Sequence, residues 1–275
     1  MIRKFCFILI FAFAIVDLQA QSVDADDSTQ KNSFRAGLQF VSNQNFAGRT
    51  DSLNLPVIIP AIKWKTASGF YINTKGYLNL SQKSGFDGIS IEPGFEFGKK
   101  PWDGAIALVK YFIKDSSNLI VAPINTEIEF YLSYNSKIIS PNIGSEYVFS
   151  SEGNDLIIYA GLSKLITLTE KDKEPEITME PSFSVSGGTQ SFYYSFLKHH
   201  TIRRRGSTTQ TTQKKSEQFD LLDTEIEMPV SISKGKFEGG ITPAFEAPLN
   251  VITGSGSSQS SKSFFHFTAE VALNF

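Results

Sequence analysis

The chain has 275 residues, a formal net charge of −2 and a mean hydropathy of −0.11. This length suits one β-barrel or one to two soluble domains, and the near balance of acidic and basic residues gives no indication of a nucleic-acid partner. The single cysteine, Cys6, lies close to the N-terminus, which excludes disulfides and cysteine metal sites from the rest of the chain.

The N-terminus has the pattern of a secretory signal. Arg3 and Lys4 precede the apolar run 5–16, and the small residue Ala20 supplies a cleavage context. The apolar run is too short for a membrane helix, which needs about 20 residues. We therefore predict three segments: a signal peptide (1–20), a disordered N-terminal segment (21–32) and a β-barrel domain (33–275).

From residue 33 onward, segments of alternating apolar and polar residues are separated by turn-forming clusters, which is the pattern of a membrane β-barrel. About twelve antiparallel strands are predicted, at 33–42, 56–66, 69–81, 88–98, 103–114, 121–134, 138–149, 156–168, 176–197, 219–233, 236–249 and 264–275. The connections after every second strand are short and several of the others are long, as a barrel with both termini on one side requires. Counts from about ten to fourteen strands are the alternatives.

Three strand features need interpretation. The long segment 176–197 contains Gly187-Gly188; a turn there would make the strand count odd, so we interpret the glycines as a β-bulge. Segment 156–168 would also tolerate a helix, but its isoleucines favour a strand. Prolines inside strands, such as Pro60 and Pro181, are expected at bulges or strand starts, because proline cannot donate to the hydrogen-bond ladder.

The last strand alternates without a break. Phe265, Val271 and Phe275 share one face, and His266 and Glu270 share the other. A final strand that ends in phenylalanine resembles the C-terminal signature of bacterial outer-membrane β-barrels. The apolar face would equally form the core of a secreted, soluble β-sandwich that binds a ligand, and this alternative stays open.

The polar face of the strands is rich in charge. The predicted lumen carries an acidic set, which is Glu92, Glu96, Glu127, Glu129, Glu146, Glu180, Glu225, Glu227, Glu238, Glu246 and Glu270, and a smaller basic set, which is Arg35, Lys63, Lys65, Lys75 and Lys110. Charges inside a barrel must be paired or hydrated. The pattern therefore indicates either a water-filled, cation-favouring pore or an interior closed by salt bridges.

One long connection is strongly basic: it contains Lys198, His199, His200, Arg203, Arg204, Arg205, Lys214 and Lys215. A run of charge in a polar segment is most often a solvated surface loop. Two sharper hypotheses are that it folds inward against the glutamates, or that its arginines bind lipopolysaccharide phosphates through charge-assisted hydrogen bonds.

The histidines give little support to catalysis. His266 shares its face with Glu270 and so points inward, away from any lipid substrate. His199 or His200 could meet Asp220 or Asp223 near the loop base, but this spacing is loose and supplies no third metal ligand. We expect no enzymatic activity, no metal site and no cofactor.

The segment Asn45 to Asp51, the Ile-x-Pro and Glu-Pro strand interiors and the terminal Phe275 together resemble a family of outer-membrane barrels from Bacteroidota whose activity is generally unassigned. The resemblance implies an outer-membrane barrel, monomeric or a small oligomer, in contact with membrane lipid and lipopolysaccharide. It also implies delivery to the barrel-assembly machinery through the C-terminal strand. We expect a narrow passive channel; a plugged structural or surface-interaction barrel without transport is the alternative.

Overall fold

The computed structural model describes residues 31–50, 55–81, 85–151, 153–170, 173–202, 216–252 and 262–275. The predicted signal peptide and nearly all of the predicted disordered segment lie outside these residues. The strands are β1 (Ser33–Val41), β2 (Asn45–Phe46), β3 (Arg49–Thr50), β4 (Val57–Lys65), β5 (Phe70–Asn79), β6 (Phe86–Lys99), β7 (Trp102–Ile113), β8 (Ile124–Tyr134), β9 (Ser140–Ser150), β10 (Gly153–Ser163), β11 (Ile166–Thr167), β12 (Glu176–Met179), β13 (Ser182–Gly188), β14 (Asp220–Glu227), β15 (Val230–Lys234), β16 (Phe237–Pro248) and β17 (Phe264–Asn274), with helix α1 (Ser191–Ile202) between β13 and β14.

All strands except the hairpin β2–β3 form one antiparallel sheet, and this sheet closes on itself because β17 pairs with both β1 and β16. Three barrel strands are each interrupted once, so that β10 with β11, β12 with β13, and β14 with β15 act as single strands. The result is a closed 12-strand antiparallel barrel, which confirms the predicted fold class. The start of β1, the end of β17 and the short connections lie at one end, here called the turn end, and the long connections begin and end at the opposite end, the loop end.

Prolines mark weak points of the ladder, but Pro60 and Pro93 do not lie at bulges or strand starts as predicted. Pro181 and Pro229 lie at the breaks between β12 and β13 and between β14 and β15, where each still accepts a backbone hydrogen bond from the neighbouring strand at 3.1 and 2.9 Å. Pro60 and Pro93 lie inside β4 and β6, where pairing with one neighbour lapses. The missing proline N–H explains each gap.

The outer face of the barrel is apolar on every side. Large side chains such as Ile62, Phe112 and Phe265 are 53, 54 and 63 % exposed there. No second layer of the described structure covers this face, so the soluble β-sandwich alternative is wrong. Among the described residues, no helix has the length and apolar character needed to cross a membrane.

The segment 176–197 differs from its prediction. The register between β13 and β14 shifts between Ser186 and Gly187, so a bulge lies beside the glycines as predicted, but the extra residue is Leu222 of the partner strand β14 and not a glycine. The strand, however, ends at Gly188 instead of residue 197.

Helix α1 begins soon after this strand because its N-terminus is capped. The Asp155 carboxylate accepts the backbone N–H groups of Ser191 and Phe192, both at 2.7 Å, and so satisfies donors that have no partner inside the helix. The prediction of a loop from residue 198 is therefore corrected: residues 198–202 continue α1, while 203–215 lie outside the described residues.

Candidate functional site

An apolar layer fills the loop end of the barrel. Three pieces contribute to it, and we call them together the cap: hairpin β2–β3, residues 119–121 and helix α1. The cap packs against inward-facing residues near the strand ends, which are Val57, Ile59, Tyr77, Ile124, Val148, Ile157 and Leu222. Leu119, Ile120, Phe192 and Tyr193 are each 0 % exposed, so this layer is dry.

The hairpin β2–β3 enters this layer through a tight turn. Ala47 and Gly48 both have positive φ values, 46° and 72°, as the central residues of a hairpin turn require. The ring of Phe46 then lies edge-on to that of Phe192 in α1, with centroids 4.8 Å apart. Hairpin and helix are therefore packed as one unit.

Arg49 connects the hairpin to neighbouring segments through hydrogen bonds. Its guanidinium, 1 % exposed, donates to Gln190 Oε1 at 3.0 and 2.9 Å, to the Leu222 carbonyl at 2.8 Å and to the Leu249 carbonyl at 2.9 Å. Burial lowers the pKa of Arg49 to about 10, so it keeps its charge at neutral pH. Arg49 thus joins the cap to two barrel strands.

Below the cap the lumen is polar. Strand alternation directs all the predicted glutamates inward: Glu92, Glu96, Glu127, Glu129, Glu146, Glu180, Glu225, Glu227, Glu238, Glu246 and Glu270. Arg35, Lys63, Lys65 and Lys75 point inward as well. The inward orientation of these side chains follows from the geometry of the strands.

The expectation for Lys110 is corrected. It lies on the same face of β7 as Leu108 and Phe112, which are 45 and 54 % exposed on the outer surface. Its Nζ donates to Thr126 Oγ1 of the neighbouring strand at 3.2 Å. Lys110 lies towards the loop end of its strand, where a lysine on the outer face can extend to the membrane interface.

The four basic residues that the described strands direct into the lumen below the cap each have an acidic partner. The ion pairs are Arg35 with Glu238 and Glu270, Lys63 and Lys65 with Glu96, and Lys75 with Glu92. These pairs lie on strands β1, β4, β5, β6, β16 and β17. Together they form a neutralised side of the lumen.

Seven glutamates remain. Glu180 accepts a hydrogen bond from Ser163 Oγ at 2.8 Å, and the other six form what we call the acidic wall: Glu127, Glu129, Glu146, Glu225, Glu227 and Glu246. Glu129 lies directly opposite Glu146 across β8 and β9, and Glu225 lies opposite Glu246 across β14 and β16. Like charges in such cross-strand positions repel each other. None of the four inward-facing basic residues forms an ion pair with this wall.

Cavities occupy the polar part of the lumen. One of about 400 Å³ lies beneath the hairpin beside Lys63 and Lys75, and it shares Arg35 and Glu270 with a second of about 430 Å³ towards the turn end. A third, also about 400 Å³, faces the acidic wall and is lined by Tyr131, Tyr159, Glu146, Asp223, Glu225, Glu227 and Glu246. This cavity therefore lies beside carboxylates of the acidic wall that have no lysine or arginine partner among the described residues.

One cluster brings a histidine into the acidic wall. His266 Nε2 lies 3.5 Å from Glu225 Oε1 and 3.4 Å from Glu246 Oε2. Asn45 of the hairpin reaches the same point, with its Nδ2 2.7 Å from Glu246 Oε2 and 2.9 Å from His266 Nε2. The sequence placed His266 and Glu246 on the inner face, but no local pattern indicated that a loop residue would join them.

The basic connection contributes little to the described site. Lys198, His199 and His200 belong to α1, but their side chains lie outside the described part, as do residues 203–215 entirely. The predicted meeting of His199 or His200 with Asp220 or Asp223 therefore stays a prediction.

No protein-family model and no curated protein matches this sequence. Solved structures with a similar fold include the KdgM porin, with a TM-score of 0.49, 6 % identity and coverage of 88 % of this chain and 99 % of that one. An outer membrane channel from Pseudomonas putida F1 has a TM-score of 0.47, 8 % identity and coverage of 92 and 100 %. LpxR from Salmonella typhimurium has a TM-score of 0.46, 8 % identity and coverage of 88 and 99 %. At these identities and scores the likenesses carry no conclusion about activity.

The barrel itself determines where the protein resides. A closed sheet satisfies all its backbone groups internally and can therefore cross hydrocarbon, and an apolar outer face with a polar interior is the arrangement of outer-membrane barrels. The chain is a β-barrel of the bacterial outer membrane.

Proposed function

We propose that this barrel is a narrow passive channel that favours cations and that the cap closes it in the conformation described above. The loop end would face the outside of the cell and the turn end the periplasm, because outer-membrane barrels have short periplasmic turns and long extracellular loops. The observation that carries the proposal is the acidic wall. Among the described residues, Arg35, Lys63, Lys65 and Lys75 form their ion pairs with other glutamates, so the wall is left without a lysine or arginine partner.

Electrostatics favour a mobile cation beside this wall. Glu129 opposite Glu146 and Glu225 opposite Glu246 cannot all remain ionised in a dry interior, since unpaired buried charge costs several kcal/mol. Water and small cations in the adjoining cavity would remove this cost. Rings of acidic side chains select cations in channels by the same means.

Reversal potentials in planar bilayers under a KCl gradient test the proposal. The Glu129→Gln, Glu146→Gln double variant should lose most of its preference for K⁺ over Cl⁻. Glu238→Gln is the matched control, because Glu238 belongs to an Arg35 ion pair outside the acidic wall. Anion-selective currents from the unaltered protein, or equal effects of the wall and control variants, would contradict it.

A second candidate function is a structural or surface-interaction barrel without transport. The cap favours it, because a dry layer of fully buried side chains spans the loop end. A variant with a loosened cap distinguishes the two candidate functions, because a closed channel would then conduct and a structural barrel would not. A silent bilayer both for the unaltered protein and for Arg49→Met would support the structural barrel.

The partners follow from the membrane location and are part of the proposal. We propose membrane lipid around the outer face, lipopolysaccharide near the basic connection 198–215, and the barrel-assembly machinery at the final strand. Phe275 supports the last of these, since its backbone pairs with Phe34 at 2.8 and 3.0 Å and so completes the barrel seam. The proposal includes no catalytic activity and no nucleic-acid partner.

A further inference from the structure

The cluster of Glu225, Glu246, His266 and Asn45 combines four side chains from four parts of the chain: β14, β16, β17 and hairpin β2–β3. Glu246 is 1 % exposed and His266 is 8 % exposed. One carboxylate oxygen of each glutamate and the imidazole nitrogen lie within 4.8 Å of one another. Carboxylate oxygen and imidazole nitrogen are both ligand types that bind zinc.

The distances fit a tetrahedral ion. Zinc binds oxygen and nitrogen ligands at about 2.0–2.1 Å, so two ligands of a tetrahedral site lie roughly 3.3–3.4 Å apart. His266 Nε2 lies 3.4 Å from Glu246 Oε2 and 3.5 Å from Glu225 Oε1. Both distances from Nε2 therefore match a tetrahedral site, and the two carboxylate oxygens lie within 4.8 Å of each other.

Asn45 supplies a fourth position. Its amide Nδ2 lies 2.7 Å from Glu246 Oε2 and 2.9 Å from His266 Nε2. The neutral imidazole that carries its proton on Nδ1 has a lone pair on Nε2, which is the nitrogen that faces Asn45 and the two carboxylates. Rotation of the amide by half a turn would place Oδ1 at the same point as an oxygen ligand.

Polar groups without partners surround this cluster. His266 Nδ1 is buried and has no hydrogen-bond partner among the described residues, and the same holds for Asn43 Oδ1 and Gln44 Oε1. Asn43 and Gln44, each 7 % exposed, line the cavity that His266 also lines. Such buried, unsatisfied groups are rare without a bound ion or water. They are a second indication, separate from the ligand set, that something binds here.

We infer that Glu225, Glu246 and His266, with Asn45 as the fourth ligand, bind a divalent transition-metal ion of the Zn²⁺ type inside the barrel. The imidazole selects for this class, because Ca²⁺ and Mg²⁺ prefer oxygen ligands alone. Since Asn45 belongs to the cap and the other ligands to the barrel wall, the ion would tie the cap to three strands. The site does not depend on the channel proposal.

Cobalt binding tests the site directly, because tetrahedral Co²⁺ absorbs visible light far more strongly than hydrated Co²⁺. The full-length protein in detergent micelles, freed of metal, is titrated with Co²⁺ and then with Zn²⁺. We expect one Co²⁺ per chain with a tetrahedral spectrum that Zn²⁺ abolishes. His266→Gln and Glu246→Gln should each remove this spectrum, and Asn45→Ala should weaken binding about tenfold.

Two controls make the result specific. His199→Gln with His200→Gln removes the other histidines of the chain and should leave the cobalt spectrum unchanged. Glu270→Gln removes an inward-facing glutamate of the same strand that pairs with Arg35, and it should also bind normally. Far-ultraviolet circular dichroism confirms that each variant keeps its barrel, and Glu225→Gln replaces any of the ligand variants that does not fold.

Other outcomes would overturn the inference. Absence of saturable binding by the folded, unaltered protein would mean that a protonated His266 simply bridges two carboxylates. Unchanged binding in folded His266→Gln, or loss of binding only in the His199→Gln, His200→Gln variant, would place the metal elsewhere. No current is measured, so a silent bilayer, which would count against the channel, has no bearing on this result.

Discussion

Replacing Arg49 with methionine should release the cap while leaving the barrel closed. Methionine retains much of the apolar side-chain volume but donates no hydrogen bond. Gln190 Oε1 and the carbonyls of Leu222 and Leu249 would each lose a charged donor. A buried acceptor left without its partner costs about 1–3 kcal/mol, so the hairpin should lose roughly 3–5 kcal/mol of local stability.

Hydrogen exchange measured by mass spectrometry in micelles checks this value. A loss of about 3 kcal/mol corresponds to roughly a hundredfold faster exchange of the hairpin amides, while the barrel-strand amides should stay protected. Arg35→Met is the control, because it removes an arginine from the lumen wall, where its side chain is 36 % exposed and has no contact with the cap. Hairpin exchange as slow in Arg49→Met as in the unaltered protein would refute the role of Arg49.

Two further substitutions test packing and side-chain orientation. Gly144→Ala should cost about 1–3 kcal/mol in urea unfolding, because its new methyl group would overlap the ring of Tyr159, whereas Gly76→Ala has room and should cost nothing. Leu108→Lys should cost about 2–4 kcal/mol if Leu108 faces mid-bilayer lipid, whereas Lys110→Leu should leave stability unchanged or raised; equal losses for both would contradict the outward orientation of β7.

The strands were predictable from the sequence because one face of each strand contacts lipid and the other faces the lumen. Apolar and polar residues therefore alternate along the strand. The final strand shows this best, since the predicted inward positions of His266 and Glu270 are those of the structure. In strand β7 the alternation of apolar and polar residues does not show which face points inward. Its two faces are both largely apolar there, with Ala107 and Val109 inside and Leu108 outside, so alternation could not assign Lys110 to a face.

The cap was not predictable in the same way. Residues 191–197 are mostly aromatic, and such a run suits a strand or a buried helix equally well. The choice is made by Asp155, which is distant in sequence and caps the helix. The approach of Asn45 to His266 depends likewise on a loop folding back into the barrel, a long-range event without a local sequence signal.

The bulge in β14 has a consequence for the layers inside the barrel. Through the extra residue, two consecutive side chains, Leu222 and Asp223, both point inward, 0 and 6 % exposed. Leu222 packs against the cap, and Asp223 lines the acidic cavity. Because the bulge shifts the inward-facing positions by one residue, the same strand contributes Leu222 to the apolar layer at the loop end and Asp223 to the polar lumen. The boundary between the two layers lies at the peptide bond that joins these residues.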